Sequence, residues 1–257
     1  MNPSSEEFYI VAREPGAENP AIPTWACRAS NPAELEPNYS GTVSRREIGS
    51  APGTFQLSNV LSRDECEQLV KLTESLGFLE DAAVSLPRSI RHNHNVTWMA
   101  DDLTNDIIWK RCQPLMRDGE DIFAGRQALG LNSRFRFYRY TEGDYFAPHT
   151  DGSWPGSRVI DGELVNNAYS DRWSQLSFLL FLSDDYVGGS TQFYVRRENS
   201  SQPTKISREV PVINIRTPIG GALCFPHGTH PLHCLHSSEE ITSGTKYIIR
   251  SDILFEL

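Results

Sequence analysis

The chain has 257 residues, 39% hydrophobic and 22% charged, with 16 prolines and 18 glycines scattered rather than periodic. That is the composition of a globular protein long enough for one large β domain or two small ones. A formal net charge of −9 and a pI near 5.3 argue against a general nucleic-acid surface, which needs clustered Lys and Arg.

The opening run MNPSSEEFYIVAREPG has no basic stretch ahead of an apolar core, so neither a signal peptide nor a membrane anchor is expected. Residues 1–45 are rich in Pro, Glu, Ser and Asn and predict an extended arm. Residues 46–129 read as a helical support region. Ser62-Arg-Asp-Glu65 is a capping-box pattern; Cys66, Leu69, Val70 and Leu76 then mark one helical face, and Gly77 is the stop. A second helix is predicted from about Asp102 to Met116, where Leu103, Ile107, Ile108, Cys112 and Leu115 recur at helical spacing. Asp101 and Asp102 suit its positive N-terminal end, while Pro114 complicates the last turn.

From Asn132 onward the texture changes to short apolar or alternating runs broken by Gly, Pro and Asp. The clearest are Arg134 to Tyr140, Leu176 to Leu182, Thr191 to Val195, Val210 to Arg216, Ala222 to Phe225 and Lys246 to Phe255. Many short strands at close spacing predict a mainly β core over residues 130–257, and helices preceding strands predict a jelly roll buttressed by helices on one face. The cysteines (Cys27, Cys66, Cys112, Cys224, Cys234) are odd in number and widely spaced. They read as reduced thiols of an intracellular protein, cytoplasmic with the nucleus also open.

His149-Thr-Asp151 is an H-x-D pair. Two imidazoles and one carboxylate hold a metal while leaving three coordination positions open, the arrangement that ferrous oxygen chemistry uses. Residues two apart on a strand share a face. The strand ending at Tyr140 and a bend at Thr141-Glu-Gly143 would deliver His149 to a strand end. The third ligand must come from His227, His230, His233 or His236, whose three-residue spacing gives no common strand face. His236 is favoured because Gly244 and Lys246 follow it and open the apolar run Tyr247-Ile-Ile249. A cation one strand beyond a metal is what a dicarboxylate co-substrate requires, since its free carboxylate needs a charge-assisted partner. The other three histidines read as turn or core residues. A structural zinc site using Cys224 and Cys234 has no paired C-x-x-C spacing behind it. Lys246 and Arg250 share a strand face but lie about 13 Å apart at roughly 3.3 Å per residue, so both cannot reach one small carboxylate, and Lys246 is the expected partner.

The segment from Tyr140 to Ile253 resembles the 2-oxoglutarate and iron(II)-dependent oxygenases of the prolyl 4-hydroxylase-like group. The resemblance rests on Tyr140-x-x-Gly143-x(5)-His149-x-Asp151, Leu179-Leu-Phe-Leu-Ser-Asp-Asp, Gly188-Gly-Ser-Thr191-Gln-Phe193, Pro218-Ile-Gly-Gly-Ala-Leu-Cys-Phe225 and His236-x(9)-Lys246. It implies a double-stranded β-helix, with His149, Asp151 and His236 as Fe(II) ligands near the open end of the sandwich. It also implies that Lys246 pairs with the distal carboxylate of 2-oxoglutarate, that Tyr140 hydrogen-bonds it, and that Thr191 is a second polar neighbour. Gly188 and Gly189 would serve a turn. The implied reaction consumes O2 and 2-oxoglutarate, releases succinate and CO2, and hydroxylates an unactivated C–H bond, with ascorbate as an accessory reductant. Related halogenases replace the carboxylate ligand with a small residue, so Asp151 favours hydroxylation.

The substrate is less specified. Group members acting on peptidyl proline commonly carry an Arg on the strand before the Gly-Gly turn, whereas counting back from Thr191 places Ser174 there, with Arg172 two residues away. A prolyl or other protein side chain is the first expectation and a free amino acid or other small metabolite the second. A non-catalytic jelly-roll binding protein is a remote third, and no nucleic-acid or membrane partner is expected. The polar insert from Gly152 to Arg172, with Trp154 and Pro155, is expected to be a substrate lid. Arg134 and Arg136 alternate in phase with Tyr140 and would face the cavity or its rim, suited to an anionic substrate group, with a solvated strand end as the alternative. Arg139 would point the other way.

Overall fold

The computed structural model describes residues 7–83, 86–117, 121–197, 199 and 202–257. The capping box forms as its residues predict. The Ser62 hydroxyl accepts from the Glu65 N–H and the Glu65 carboxylate accepts from the Ser62 N–H, opening helix α1 (Arg63–Leu76). Gly77 ends it at φ +87°, a conformation that costs glycine least. Helix α2 (Asp102–Cys112) is capped by the Asp101 carboxylate. It tightens into a 3-10 turn over Gln113–Arg117, where Pro114 has no N–H to continue the α ladder.

The strands form two principal sheets. The larger, ten-stranded sheet runs in the order Phe8–Glu14, Ile22–Cys27, His94–Met99, Arg134–Tyr140, Lys246–Glu256, Arg172–Phe181, Ala222–Pro226, Phe55–Ser58, Ser44–Glu47, with Ala128–Leu131 also paired to Lys246–Glu256. The five-stranded sheet runs Val212–Ile215, Thr191–Tyr194, His236–Ser238, Tyr145–His149, Arg91–His92. Period-two alternation explains how the large sheet serves two cores. Phe135, Phe137, Phe178, Leu180 and Ile249 pack with Cys66, Leu69, Ile107 and Ile108 of the helices. Tyr138, Tyr140, Leu179, Phe181 and Ile248 turn the other way and meet Phe193 and Ile215 of the small sheet. The helices therefore buttress one face, and the opposite face is left to build a site.

Two expected boundaries are corrected. Residues 8–27 are not an extended arm: they form an antiparallel hairpin whose second strand runs parallel to His94–Met99 in the large sheet. Residues 1–6 of the expected arm lie outside the described residues. Likewise residues 46–129 contribute strands as well as helices, so the β core is not confined to residues 130–257. The physical reason is visible in His94–Met99, which is buried at nearly every position between two partner strands and so carries no alternation. All five cysteines are free thiols. No helix among the described residues is long and apolar enough to cross a membrane.

Candidate metal centre and cavity

His149 is the last residue of the strand Tyr145–His149, and His236 opens the strand His236–Ser238 directly opposite it in register. Asp151 lies two residues past the strand end, so it reaches the site from the following turn rather than from a shared strand face. Together these three offer ligand atoms that all lie within 4.8 Å of one another, close enough for one ion to bind all three. No other such cluster of His, Cys, Asp and Glu occurs among the described residues, so Cys224 and Cys234 join no metal set.

The local hydrogen bonds prepare both imidazoles for a metal. His149 Nδ1 donates to the Ala147 carbonyl (2.8 Å) and His236 Nδ1 to the Cys234 carbonyl (3.2 Å), because a carbonyl can only accept. Each Nε2 is therefore unprotonated, and both face Asp151, at 3.8 and 3.7 Å. Burial, then the neighbouring His236, pushes the His149 pKa down to about 3. Burial likewise lowers that of His236. For Asp151 burial alone would favour the neutral acid, but Arg250 and the imidazoles outweigh it and hold the carboxyl well below the usual range. The result is two neutral bases and one carboxylate, the protonation states that metal ligands require.

Asp151 is also fixed from behind. Ser177 Oγ donates to Asp151 Oδ2 (2.6 Å) and must then accept from His227 Nδ1 (2.9 Å). The neutral His227 Nε2 accepts from Ser174 Oγ (3.0 Å), which accepts in turn from the Trp154 N–H (2.8 Å). Burial keeps His227 uncharged. Every donor in this chain has one acceptor, running from the backbone of Trp154 to the metal carboxylate. Sequence reasoning missed it: Ser174, Ser177 and His227 act through space. The available signal was a serine, Ser177, at an inward-facing position of the otherwise apolar run Leu176 to Leu182.

The triad opens into a cavity of about 460 Å³ between the sheets, which Tyr140, Leu179, Thr191, Lys246 and Ile248 also line. Tyr140 and Lys246 are cross-strand partners. Lys246 is 1% exposed, and its Nζ donates to the Gly189 carbonyl (2.7 Å) and Ser238 Oγ (2.9 Å), both neutral acceptors. Among the described residues no carboxylate lies within ion-pair distance of it. Burial of this kind, followed by repulsion from Arg216, brings its pKa down to about 7. Gly189 sits at φ +66° in the turn that carries this carbonyl.

Arg250 is not at the Lys246 end. Its guanidinium lies 3.6 Å from Asp151 and 3.1 Å from Asp252, so it holds the metal carboxylate. Arg134 faces inward but pairs with Glu14 (2.9 and 2.8 Å), while Arg139 turns outward to Glu74. Ser174, at the position where a cation was sought, is buried in the hydrogen-bond chain, and Arg172 pairs with its neighbour Asp171. The 152–172 insert brings Trp154 to the cavity wall and forms a short hairpin, Arg158–Ile160 with Glu163–Val165. His230 bonds the Ile122 carbonyl.

No protein-family model matches this sequence, and no curated protein matches it either. Among solved structures the chain is similar to a viral collagen prolyl hydroxylase from Paramecium bursaria chlorella virus-1 in its 2OG complex, with 16% identity and a TM-score of 0.50, over 82% of this chain and all of that one. A prolyl-4-hydroxylase of Pseudomonas putida is 14% identical over 79% of this chain and 92% of that one, with a TM-score of 0.47. HygX of Streptomyces hygroscopicus, with nickel and 2-oxoglutarate bound, is 16% identical over 80% and 83%, with a TM-score of 0.46. At these identities the first likeness establishes a shared fold: this chain has the mainly β, two-sheet architecture of the viral protein.

Proposed function

We propose that the chain is an iron(II)- and 2-oxoglutarate-dependent dioxygenase on a double-stranded β-helix, hydroxylating an unactivated C–H bond. The observation that carries this reading is the placement, in one cavity, of the His149–Asp151–His236 cluster and a buried ammonium lacking a carboxylate. Two neutral imidazoles and one carboxylate, without a thiolate, suit ferrous iron and leave positions for a chelating co-substrate and O2. When bound, the ion supplies the coupling of O2 reduction to oxidative decarboxylation of 2-oxoglutarate and oxidation of the substrate. The balance is R–H + O2 + 2-oxoglutarate → R–OH + succinate + CO2.

The chain's own groups bind and orient. Lys246 receives the distal carboxylate of 2-oxoglutarate, the Tyr140 hydroxyl donates to the same group, and Thr191 is its second polar neighbour. A low-dielectric pocket strengthens that ion pair. Arg250 and Ser177 keep the Asp151 carboxylate ionised and aimed at the metal. The fold relative is a collagen prolyl hydroxylase, which makes a prolyl or other protein side chain the first substrate class to test. The absence of a cation at Ser174 favours including free amino acids and other metabolites. The test is succinate formation by Fe(II)-loaded protein given 2-oxoglutarate and O2, with peptide and metabolite pools analysed by mass spectrometry for one added oxygen. Succinate no greater than in His149→Ala would overturn the reading.

A further inference from the structure

Arg136 lies on the strand Arg134–Tyr140, two turns of the pleat from Tyr140, and its side chain lines the same cavity as the metal cluster. Its cross-strand partner is Arg250, a second guanidinium. Like charges directly opposite on a sheet repel. For Arg250 the repulsion is answered by Asp151 and Asp252 at 3.6 and 3.1 Å. Arg134, two residues back, is answered by Glu14. Arg136 has no such answer: among the described residues no carboxylate lies within ion-pair distance of its guanidinium. The guanidinium carbon stands 5.9 Å from the centroid of the Trp154 ring. Burial first, and then Arg250, pulls the Arg136 pKa below the ordinary value, against a smaller opposing pull from Asp252.

Position adds to charge. Arg136 and Trp154 line both the main cavity and a second one of about 300 Å³, so they form a wall common to the two. Of the side chains lining the main cavity, Asp151 is the one acid. Four cations line that cavity. Lys246 is taken by the co-substrate, Arg250 by two aspartates, and Arg91 is 2% exposed and donates to Asn93 Oδ1 (2.5 Å), which leaves Arg136 to face open space beside the metal.

We infer that Arg136 anchors an anionic group of the primary substrate, a carboxylate held by the guanidinium fork, with the adjoining apolar part of the substrate against Trp154. The inference rests on the oxygenase reading and narrows it: the oxidised C–H bond belongs to a molecule that carries a carboxylate a few bonds away. A planar guanidinium matches a carboxylate through two parallel hydrogen bonds, and an aromatic face beside it covers hydrocarbon. The carboxylate can come from a free acid or from a peptide's C-terminus or acidic side chain.

The test uses the full chain loaded with Mn(II) and 2-oxoglutarate, which permits binding without depending on turnover. The probes are free L-amino acids, their carboxamides, and short proline-containing peptides with free or amidated C-termini. Each is titrated against wild type, Arg136→Met and Arg136→Lys. At least one carboxylate should bind wild type, and both its amide and Arg136→Met should weaken binding by about 10- to 100-fold. Arg136→Lys should fall between, since it keeps the charge and loses the fork. Preference for free amino acids identifies a small-molecule substrate, and preference for acid-terminated peptides a peptide. Amides binding as well as acids, or no carboxylate distinguishing wild type from Arg136→Met, would overturn the anchor. Failure of wild type to bind metal while acids still discriminate between wild type and variant would remove the oxygenase reading and leave the anchor standing. Matching Mn(II) affinity and circular dichroism show that each variant is folded.

Discussion

Replacing Lys246 with methionine should move two properties in opposite directions. The ammonium is 1% exposed and is met by neutral acceptors, the Gly189 carbonyl and Ser238 Oγ. Its pKa falls from 10.5 to about 7. That difference corresponds to a burial cost on the order of 5 kcal/mol for the charged form. Methionine removes the cost but orphans the Gly189 carbonyl, a loss of about 1–3 kcal/mol. The ligand-free variant should therefore be more stable at pH 6 by on the order of 2 kcal/mol, or roughly 5 °C in Tm for a chain of this size. The co-substrate should suffer. Loss of a charge-assisted hydrogen bond to its distal carboxylate costs about 1.5–3 kcal/mol, or roughly 10- to 150-fold in Kd. Calorimetric titration of 2-oxoglutarate into metal-loaded protein, alongside thermal unfolding, reads both. Wild-type affinity in the variant would refute the assignment. A lower Tm at pH 6 would refute the claim that the ammonium is buried at a cost.

The same residue sets a pH dependence. Unfolded lysine binds more protons than folded Lys246 between about pH 7 and 10.5, so ligand-free stability should rise with pH across that window and be lowest below it. Affinity for 2-oxoglutarate should hold below about pH 7 and fall by up to about tenfold per pH unit above it, because the protonated form binds; a flat profile to pH 9 would contradict this. Ser177→Ala should lower metal affinity by about 10- to 100-fold without unfolding the protein, as losses behind a metal ligand commonly do; unchanged affinity would show that Arg250 alone orients Asp151. Ser62→Ala should cost about 1 kcal/mol in denaturant unfolding by removing the α1 cap, with no change in metal binding.

What the sequence disclosed was chiefly local chemistry. The Ser62–Glu65 capping box needs only residues three apart, and it forms as written. The inward run Arg134, Arg136, Tyr138, Tyr140 follows from the pleat alone, as does the outward Arg139. The convergence of His149, Asp151 and His236 was legible because a metal demands a specific set of donor types. Long-range partnerships were hidden. Phe8–Glu14 joins the sheet because Ile22–Cys27 finds His94–Met99, a parallel pairing across about seventy positions that no local pattern announces. Arg250 was weighed against Lys246 for one carboxylate, yet it serves Asp151, which arrives from a turn outside the strand. The Trp154–Ser174–His227–Ser177 chain depends on three segments meeting, with Trp154 contributing its backbone N–H and the other three their side chains.

The claim on which the rest depends is that three side chains share one ferrous ion. Anaerobic Fe(II) titration, followed by calorimetry, measures it directly. Wild type should bind one ion per chain, and His149→Ala, Asp151→Ala and His236→Ala should each lose that binding while remaining folded. Equal stoichiometry and affinity in any two of these variants, or no binding by wild type, would contradict the account.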